Sequence, residues 1–124
     1  MRKGLLATEY QECLSYYEWT QYQPELKELV VHHVNEGKRS LILGKLLKRI
    51  GLSKGLPDYQ IFRANNHWHG LLIEMKTTDE RHKKQPNHQV EFINKLIRQN
   101  YYATFAFGVD DAIRITKDYL SNRI

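Results

Sequence analysis

The stretch GLPDYQIFRANNHWHGLLIEMKTT, residues 55–78, decides the reading of this chain. Gly55 and Pro57 punctuate its entry, as turn residues do. Asp58 to Arg63 and His69 to Lys76 read as two strands. The linking Ala64-Asn65-Asn66-His67-Trp68 reads as a hairpin loop, with paired asparagines that tolerate positive φ. Strand side chains alternate faces, so Leu71, Ile73 and Met75 form one stripe and Leu72, Glu74 and Lys76 the other. A hairpin centred on Asn66 sets Asp58 directly opposite Glu74, with Cβ atoms about 4.5–5.5 Å apart. Two facing carboxylates repel, and a divalent cation offsets that cost. Mg²⁺ is commonly held by one or two carboxylates, with water and phosphate oxygens completing its shell. Lys76, on the same face as Glu74, is placed to act on a nearby water or on developing negative charge. Taken alone, the short and loosely spaced Asp…Glu-x-Lys pattern reads first as a surface ion cluster.

Outward from this hairpin, residues 6–22 read as a helix with Leu6, Tyr10, Leu14 and Tyr17 on its inner face, closed by Pro24. Residues 28–34 read as a valine-rich strand, and Asn35-Glu36-Gly37 as a turn. Residues 39–50 form a second helix, with Leu43, Leu46, Leu47 and Ile50 sharing a face and Gly51 as its stop. After the hairpin, residues 77–86 are a polar loop. Residues 87–99 form a helix with Val90, Ile93, Leu96 and Ile97 inward. Residues 101–109 are a β-prone strand whose Tyr101, Tyr102, Phe105 and Phe107 are most simply core. Residues 111–121 form a last helix capped by Asp110 or Asp111 that buries Ile113, Ile115 or Thr116, and Leu120. The order α-β-α-β-β-α-β-α predicts an α/β or α+β fold, a mixed central sheet flanked by helices.

At 124 residues the chain has the length of a single domain spanning 1–124. With 41% hydrophobic and 27% charged residues it carries enough apolar surface for an ordinary core. Its apolar runs are too short for a bilayer span, which needs about 20 residues, so no membrane partner is expected. The N-terminal MRKGLLATEYQE lacks the apolar segment of a secretory signal. Cys13 is the only cysteine, which excludes an internal disulfide and a cysteine-rich zinc site and suits a reduced, intracellular (cytoplasmic) compartment. The net charge of +5 favours anionic partners. Its distribution is asymmetric: Glu9, Glu12, Glu18, Glu25, Glu28 and Glu36 precede an acid-free segment holding Lys38, Arg39, Lys45, Lys48, Arg49 and Lys54. Charge asymmetry alone fits solvated helix faces as well as a binding surface.

Across nearly its whole length the sequence resembles the VRR-NUC family, a branch of the PD-(D/E)xK nuclease superfamily. The matching pieces are Glu9-Tyr10-Gln11 with Trp19, then His33-Val34-Asn35-Glu36-Gly37-Lys38-Arg39, and Gly51 to Asp58. They continue with Gly70 to Thr77, Gln89 with Leu96, and Tyr102-Ala103 through Gly108 to Ile113. Glu36 departs from the pattern, since many relatives have glycine in this turn. The resemblance implies a restriction-endonuclease-like core and a nuclease dependent on Mg²⁺ or Mn²⁺. It implies Asp58 and Glu74 as metal-binding carboxylates, Lys76 as the catalytic lysine, Glu9 as a further metal-site glutamate and Gln89 as a site glutamine. Stand-alone chains of the family are similar to junction-cleaving nucleases and tend to be dimers. The expected substrate is therefore branched or structured DNA, and the expected assembly a homodimer. Flap or DNA-end cleavage, and a non-catalytic nucleic-acid-binding module, are the competing readings.

In that light Lys38, Arg39, Lys45, Lys48, Arg49 and Lys54 are candidates to track a phosphate backbone, which supplies most sequence-independent affinity. Arg81, Lys83 and Lys84, after the catalytic strand, are candidates to clamp DNA. The histidines do not form a zinc set: His32 and His33 face opposite ways, and nothing nearby completes a site for His67 and His69. His33 is most simply a core or rim histidine.

Overall fold

The computed structural model describes residues 5–33, 40–52 and 55–124. The turn at Asn35-Glu36-Gly37, the residues Lys38, Arg39 and Lys54, and the side chain of Leu6 lie outside the described residues. The elements are α1 (Leu5–Gln21), β1 (Val30–His32), α2 (Leu41–Arg49), β2 (Tyr59–Ile61), β3 (Leu71–Lys76), a single 3₁₀ turn (Thr78–Glu80), α3 (Asn87–Arg98), β4 (Tyr102–Phe107) and α4 (Val109–Leu120). Apart from the 3₁₀ turn, this is the order expected from the sequence.

The four strands lie in the order β1-β2-β3-β4. β1 and β3 both run antiparallel to β2, while β4 runs parallel to β3. The mixed α+β architecture anticipated from the periodicities is thus the architecture observed. β3 is central, and five of its six residues are buried. Its alternation divides the interior. Leu71, Ile73 and Met75 pack with Tyr16 of α1 and with Ala112, Ile115 and Tyr119 of α4. Leu72 packs on the opposite face with Ile93 of α3 and Ala103 of β4. Two buried hydroxyls, Tyr16 and Thr116, tie α1 to α4 at 2.8 Å.

Several local expectations are overturned. On α1 the inward residues are Tyr16 and Thr20, with Cys13 and Trp19 partly buried, whereas Tyr10, Leu14 and Tyr17 face outward. Aromatic and apolar residues occur all round this helix, so periodicity could not single out its inner face. α2 starts on Ser40, whose Oγ accepts the Leu43 amide at 3.0 Å, and ends before Gly51 at φ 113°. Yet none of its residues is buried: Leu47 is only partly covered, and Leu43, Leu46 and Ile50 are exposed. On α3 only Ile93 is buried, and Val90 and Ile97 are exposed. β4 buries Ala103 and Ala106, not its aromatic residues, which are half-buried. Neither expected aspartate caps α4. Gly108 stands at its N-terminus, the Val109 amide donates to Glu12 Oε1 of α1 at 2.8 Å, and Asp111 Oδ2 accepts the Phe107 amide at 2.9 Å. The hairpin asparagines do not use positive φ. Instead Asn65 Oδ1 accepts the amides of His67 (2.9 Å) and Trp68 (2.7 Å), a side-chain turn.

Candidate active site

The antiparallel register pairs Tyr59 with Ile73, Gln60 with Leu72 and Ile61 with Leu71. Continued by one residue, it sets Asp58 across from Glu74, as a hairpin centred on Asn66 requires. A backbone-to-side-chain bond secures the arrangement: Asp58 Oδ2 accepts the Met75 amide at 2.8 Å. The Asp58 carbonyl in turn accepts the His33 amide at 2.7 Å, so the residue is held on both sides as β1 and β2 converge.

Gly55 brings α3 to this point. It has φ 93°, and a Cβ there would stand 2.9 Å from the His88 carbonyl oxygen, so a side chain would displace backbone. The Gly55–Asp58 turn therefore lies directly against the start of α3, where Gln89 follows His88. Gln89 Nε2 donates to Glu74 Oε2 at 3.3 Å. Glu74 itself is buried, at 5% exposure. With its amide nitrogen committed to Glu74, Gln89 is left with a buried Oε1 that has no hydrogen-bond partner among the described residues. A buried acceptor in that state needs a donor or a cation.

Lys76 ends β3 on the same face as Glu74, with Nζ 5.9 Å from the Phe105 ring centroid. Beside it is a cavity of about 180 Å³, lined by Glu9, Lys76, Thr77 and Glu80. Glu9 thus reaches the site from α1. Glu12, three residues along the same helix, is instead turned toward the start of α4. The carboxylates also register on Cys13, one turn after Glu9. Its thiol is pushed up to about 12, by burial first, then by the negative charge of Asp58 and, more weakly, of Glu9 and Glu74, against a lowering hydrogen bond from Tyr59.

Asp58, Glu74, Lys76 and Gln89 are therefore gathered at one end of the sheet, with Glu9 on the adjoining cavity. Among the described residues, no group of three or more His, Cys, Asp or Glu side chains forms a ready-made metal cage. The oxygens present nevertheless suit a hard cation: two facing carboxylates and one buried, unsatisfied amide oxygen, the kind of partial set Mg²⁺ takes. Sequence reasoning had no signal for Glu12 as a helix cap, or for Thr77 and Glu80 as cavity walls. His33 Nε2 pairs with Gln60 Oε1 at 2.9 Å, a rim role beside the strand that carries Asp58.

The basic candidates are dispersed. Lys45, Lys48 and Arg49 are exposed on α2, on the side opposite Leu43, Leu46 and Ile50. Lys83 lies 3.5 Å from Glu80 and 3.9 Å from Asp79, and Lys84 is exposed.

No family model matches the chain, and no curated protein matches it. A solved structure described as a VRR_NUC domain protein does match. It covers 97% of this chain and 92% of its own, with a TM-score of 0.81 and 27% identity. The mixed four-stranded sheet with helices on both faces is thus a restriction-endonuclease-like fold. Within that class the likeness supports the VRR-NUC family of nuclease domains, which the sequence resembles.

Proposed function

We propose that this chain is a metal-dependent endonuclease that hydrolyses DNA phosphodiester bonds, acting on branched or structured DNA such as four-way junctions. The observation that carries the reading is the pairing of Asp58 with Glu74 across β2 and β3, with Lys76 and Gln89 beside them. Asp58 and Glu74 would hold Mg²⁺ or Mn²⁺. A cation there supplies Lewis-acid charge at the scissile phosphate and lowers the pKa of water.

The chain's own groups have separate tasks. The Met75 amide orients Asp58, and Gln89 Nε2 orients Glu74. Gln89 Oε1 is an acceptor for a water at the site. Lys76 keeps its positive charge at Nζ toward the attacked phosphate, where it offsets charge that grows in the transition state. Glu9 adds negative charge at the cavity beside Lys76. Lys45, Lys48, Arg49, Lys83 and Lys84 serve the DNA backbone, with Lys38, Arg39 and Lys54 in the same basic segment.

A homodimer is part of this proposal, and α2 supports it. Ile42, Leu46 and Ile50 are 72%, 51% and 82% exposed, in a helix with no buried residue. An apolar helix face of this kind marks an interaction surface. The basic face lies opposite, so docking the apolar face on a second copy leaves Lys45, Lys48 and Arg49 turned toward DNA. That gives a small chain the span a branched substrate needs.

Purified protein incubated with duplex, flap and four-way DNA in Mg²⁺, Mn²⁺ or EDTA tests the reading. Metal-dependent cutting of the four-way DNA supports it. Cutting confined to flaps or ends assigns the alternative substrate. Binding without cutting under every metal condition overturns catalysis.

A further inference from the structure

Two aromatic side chains stand next to the proposed chemistry. In the parallel pairing of β3 with β4, Glu74 is the neighbour of Phe105, and Lys76 the neighbour of Phe107. All four side chains therefore leave the sheet on one face. The Phe105 and Phe107 rings are near-parallel, 27° apart, with centroids 6.3 Å apart. Phe105 is anchored against Leu72, Ile93 and Ala103. Phe107 lies further out, at the open end of β4, and is only half-buried. Over its ring lies the exposed guanidinium of Arg81, with Cζ 5.5 Å from the centroid. That guanidinium is also tied by a long bond, 3.4 Å, from Nη2 to the Phe107 carbonyl.

We propose that the Phe107 ring, lidded by Arg81, is a stacking site for an unpaired nucleobase next to the scissile phosphate. This rests on the nuclease reading above and adds the substrate feature that Phe107 selects. Arg81 shows that the ring face admits a planar, exposed group. A nucleobase is such a group, and aromatic rings stack on any base. A displaced Arg81 can then bond a phosphate in a planar fork. Lys76 sits one strand away, so a base on Phe107 belongs to a nucleotide adjoining the phosphate that Lys76 addresses. In continuous duplex every base is already stacked and paired, and exposing one costs a few kcal/mol. At a branch point or at the base of a flap some bases are exposed at little cost. The site thereby favours branched over continuous DNA without reading sequence.

The test is fluorescence of 2-aminopurine placed singly along the strand around the cleaved bond of a four-way DNA, bound in Ca²⁺. Wild type and Phe107→Tyr should quench the probe at one position adjoining that bond. Phe107→Leu, which keeps apolar volume, should lose the quench while its circular dichroism is unchanged. Its affinity should fall roughly 5- to 150-fold for branched DNA and little for duplex. An unchanged quench in Phe107→Leu, or equal losses on both DNAs, overturns the proposal. Should Phe107→Leu not fold, the wild-type scan decides: quenching at the adjoining position supports stacking, and none at any position overturns it. Cutting without Phe107-dependent quenching removes the stacking site alone. Failure of wild type to cut any DNA removes the nuclease reading, and the stacking site with it.

Discussion

Asp58 and Glu74 face each other across two strands, and each is steered by a neighbour rather than by its own rotamer alone. In the proposed reading, removing either carboxylate removes a cation ligand and the negative charge it brings to the site. Asp58→Ala and Glu74→Ala are each expected to abolish cleavage while the protein stays folded, read by junction cutting beside circular dichroism. Wild-type turnover in either variant would dissociate the pair from the chemistry. If Lys76 acts on charge that develops during reaction, as proposed, Lys76→Ala should lower single-turnover cleavage by about 10²- to 10⁴-fold while leaving affinity in Ca²⁺ nearly intact. Lys76→Arg should rescue only part of this, because guanidinium keeps the charge but not the compact shape of the ammonium. Equal loss of binding and turnover would make Lys76 a phosphate anchor instead. Gln89 works through Glu74, and its loss should cost about 10- to 100-fold in metal affinity, the usual range for an orienting partner. A metal titration of Gln89→Ala that matches wild type would contradict that role.

Helix α2 is an amphipathic element, and the proposed function gives each of its two faces a partner. Replacing Lys45, Lys48 and Arg49 with alanine should weaken DNA binding. The log–log salt slope should flatten by about 0.9 for each phosphate that the variant no longer neutralises. An unaltered slope would show that this helix does not meet the backbone. Replacing Leu43 and Leu46 with glutamate should convert a dimer to a monomer without unfolding it, since neither residue is buried within the chain. Light scattering over a range of concentrations reads this directly, and a wild type that is monomeric throughout would refute the dimer. The junction of β4 with α4 behaves differently, because it is a crowded turn. Gly108 has φ 97°, and a Cβ there would stand 2.7 Å from Thr78 Cγ2. Gly108→Ala therefore combines backbone strain with a clash and should destabilise by more than about 1 kcal/mol in denaturant melts.

At the scale of the whole molecule, the core on the α1 and α4 side is built around hydroxyls and a thiol that resist ionisation. Burial pushes Tyr16 up to about 12, against a lowering hydrogen bond from Thr116, and Cys13 likewise reaches about 12. Tyr119 is raised to about 12 as well, again mainly by burial. These groups stay neutral in the fold at pH values where the unfolded chain has begun to lose their protons. Their contribution to stability is fully present below the unfolded values, 9.0 for the thiol and 10.0 for the phenols. It is lost as pH rises through about 12. Stability should therefore fall between about pH 9 and 12. Ultraviolet titration should show Tyr16 and Tyr119 ionising late, together with unfolding. Ordinary ionisation of every tyrosine near pH 10 in the folded protein would contradict this core.

Much of this protein is already present in its sequence. The element order follows from hydrophobic period, turn residues and helix stops, which are local. The Asp58–Glu74 pairing follows from one hairpin, because two strands joined by a short loop have few registers open to them. Other features depend on groups far apart in the chain. The inner face of α1 is set by what α4 and β3 offer it: Tyr16 meets Thr116 across one hundred residues. Glu12 becomes a cap for α4 because the fold brings Val109 to it. On β4 the fully covered residues are Ala103 and Ala106, while Tyr102 and Phe105 pack partly buried against the two core clusters. Gln89 gains its place when Gly55 lets α3 approach the turn that carries Asp58. Local periodicity can state that a residue is apolar or acidic and where it recurs. Which neighbour fills the space opposite it is a matter of packing, and only the assembled structure decides that.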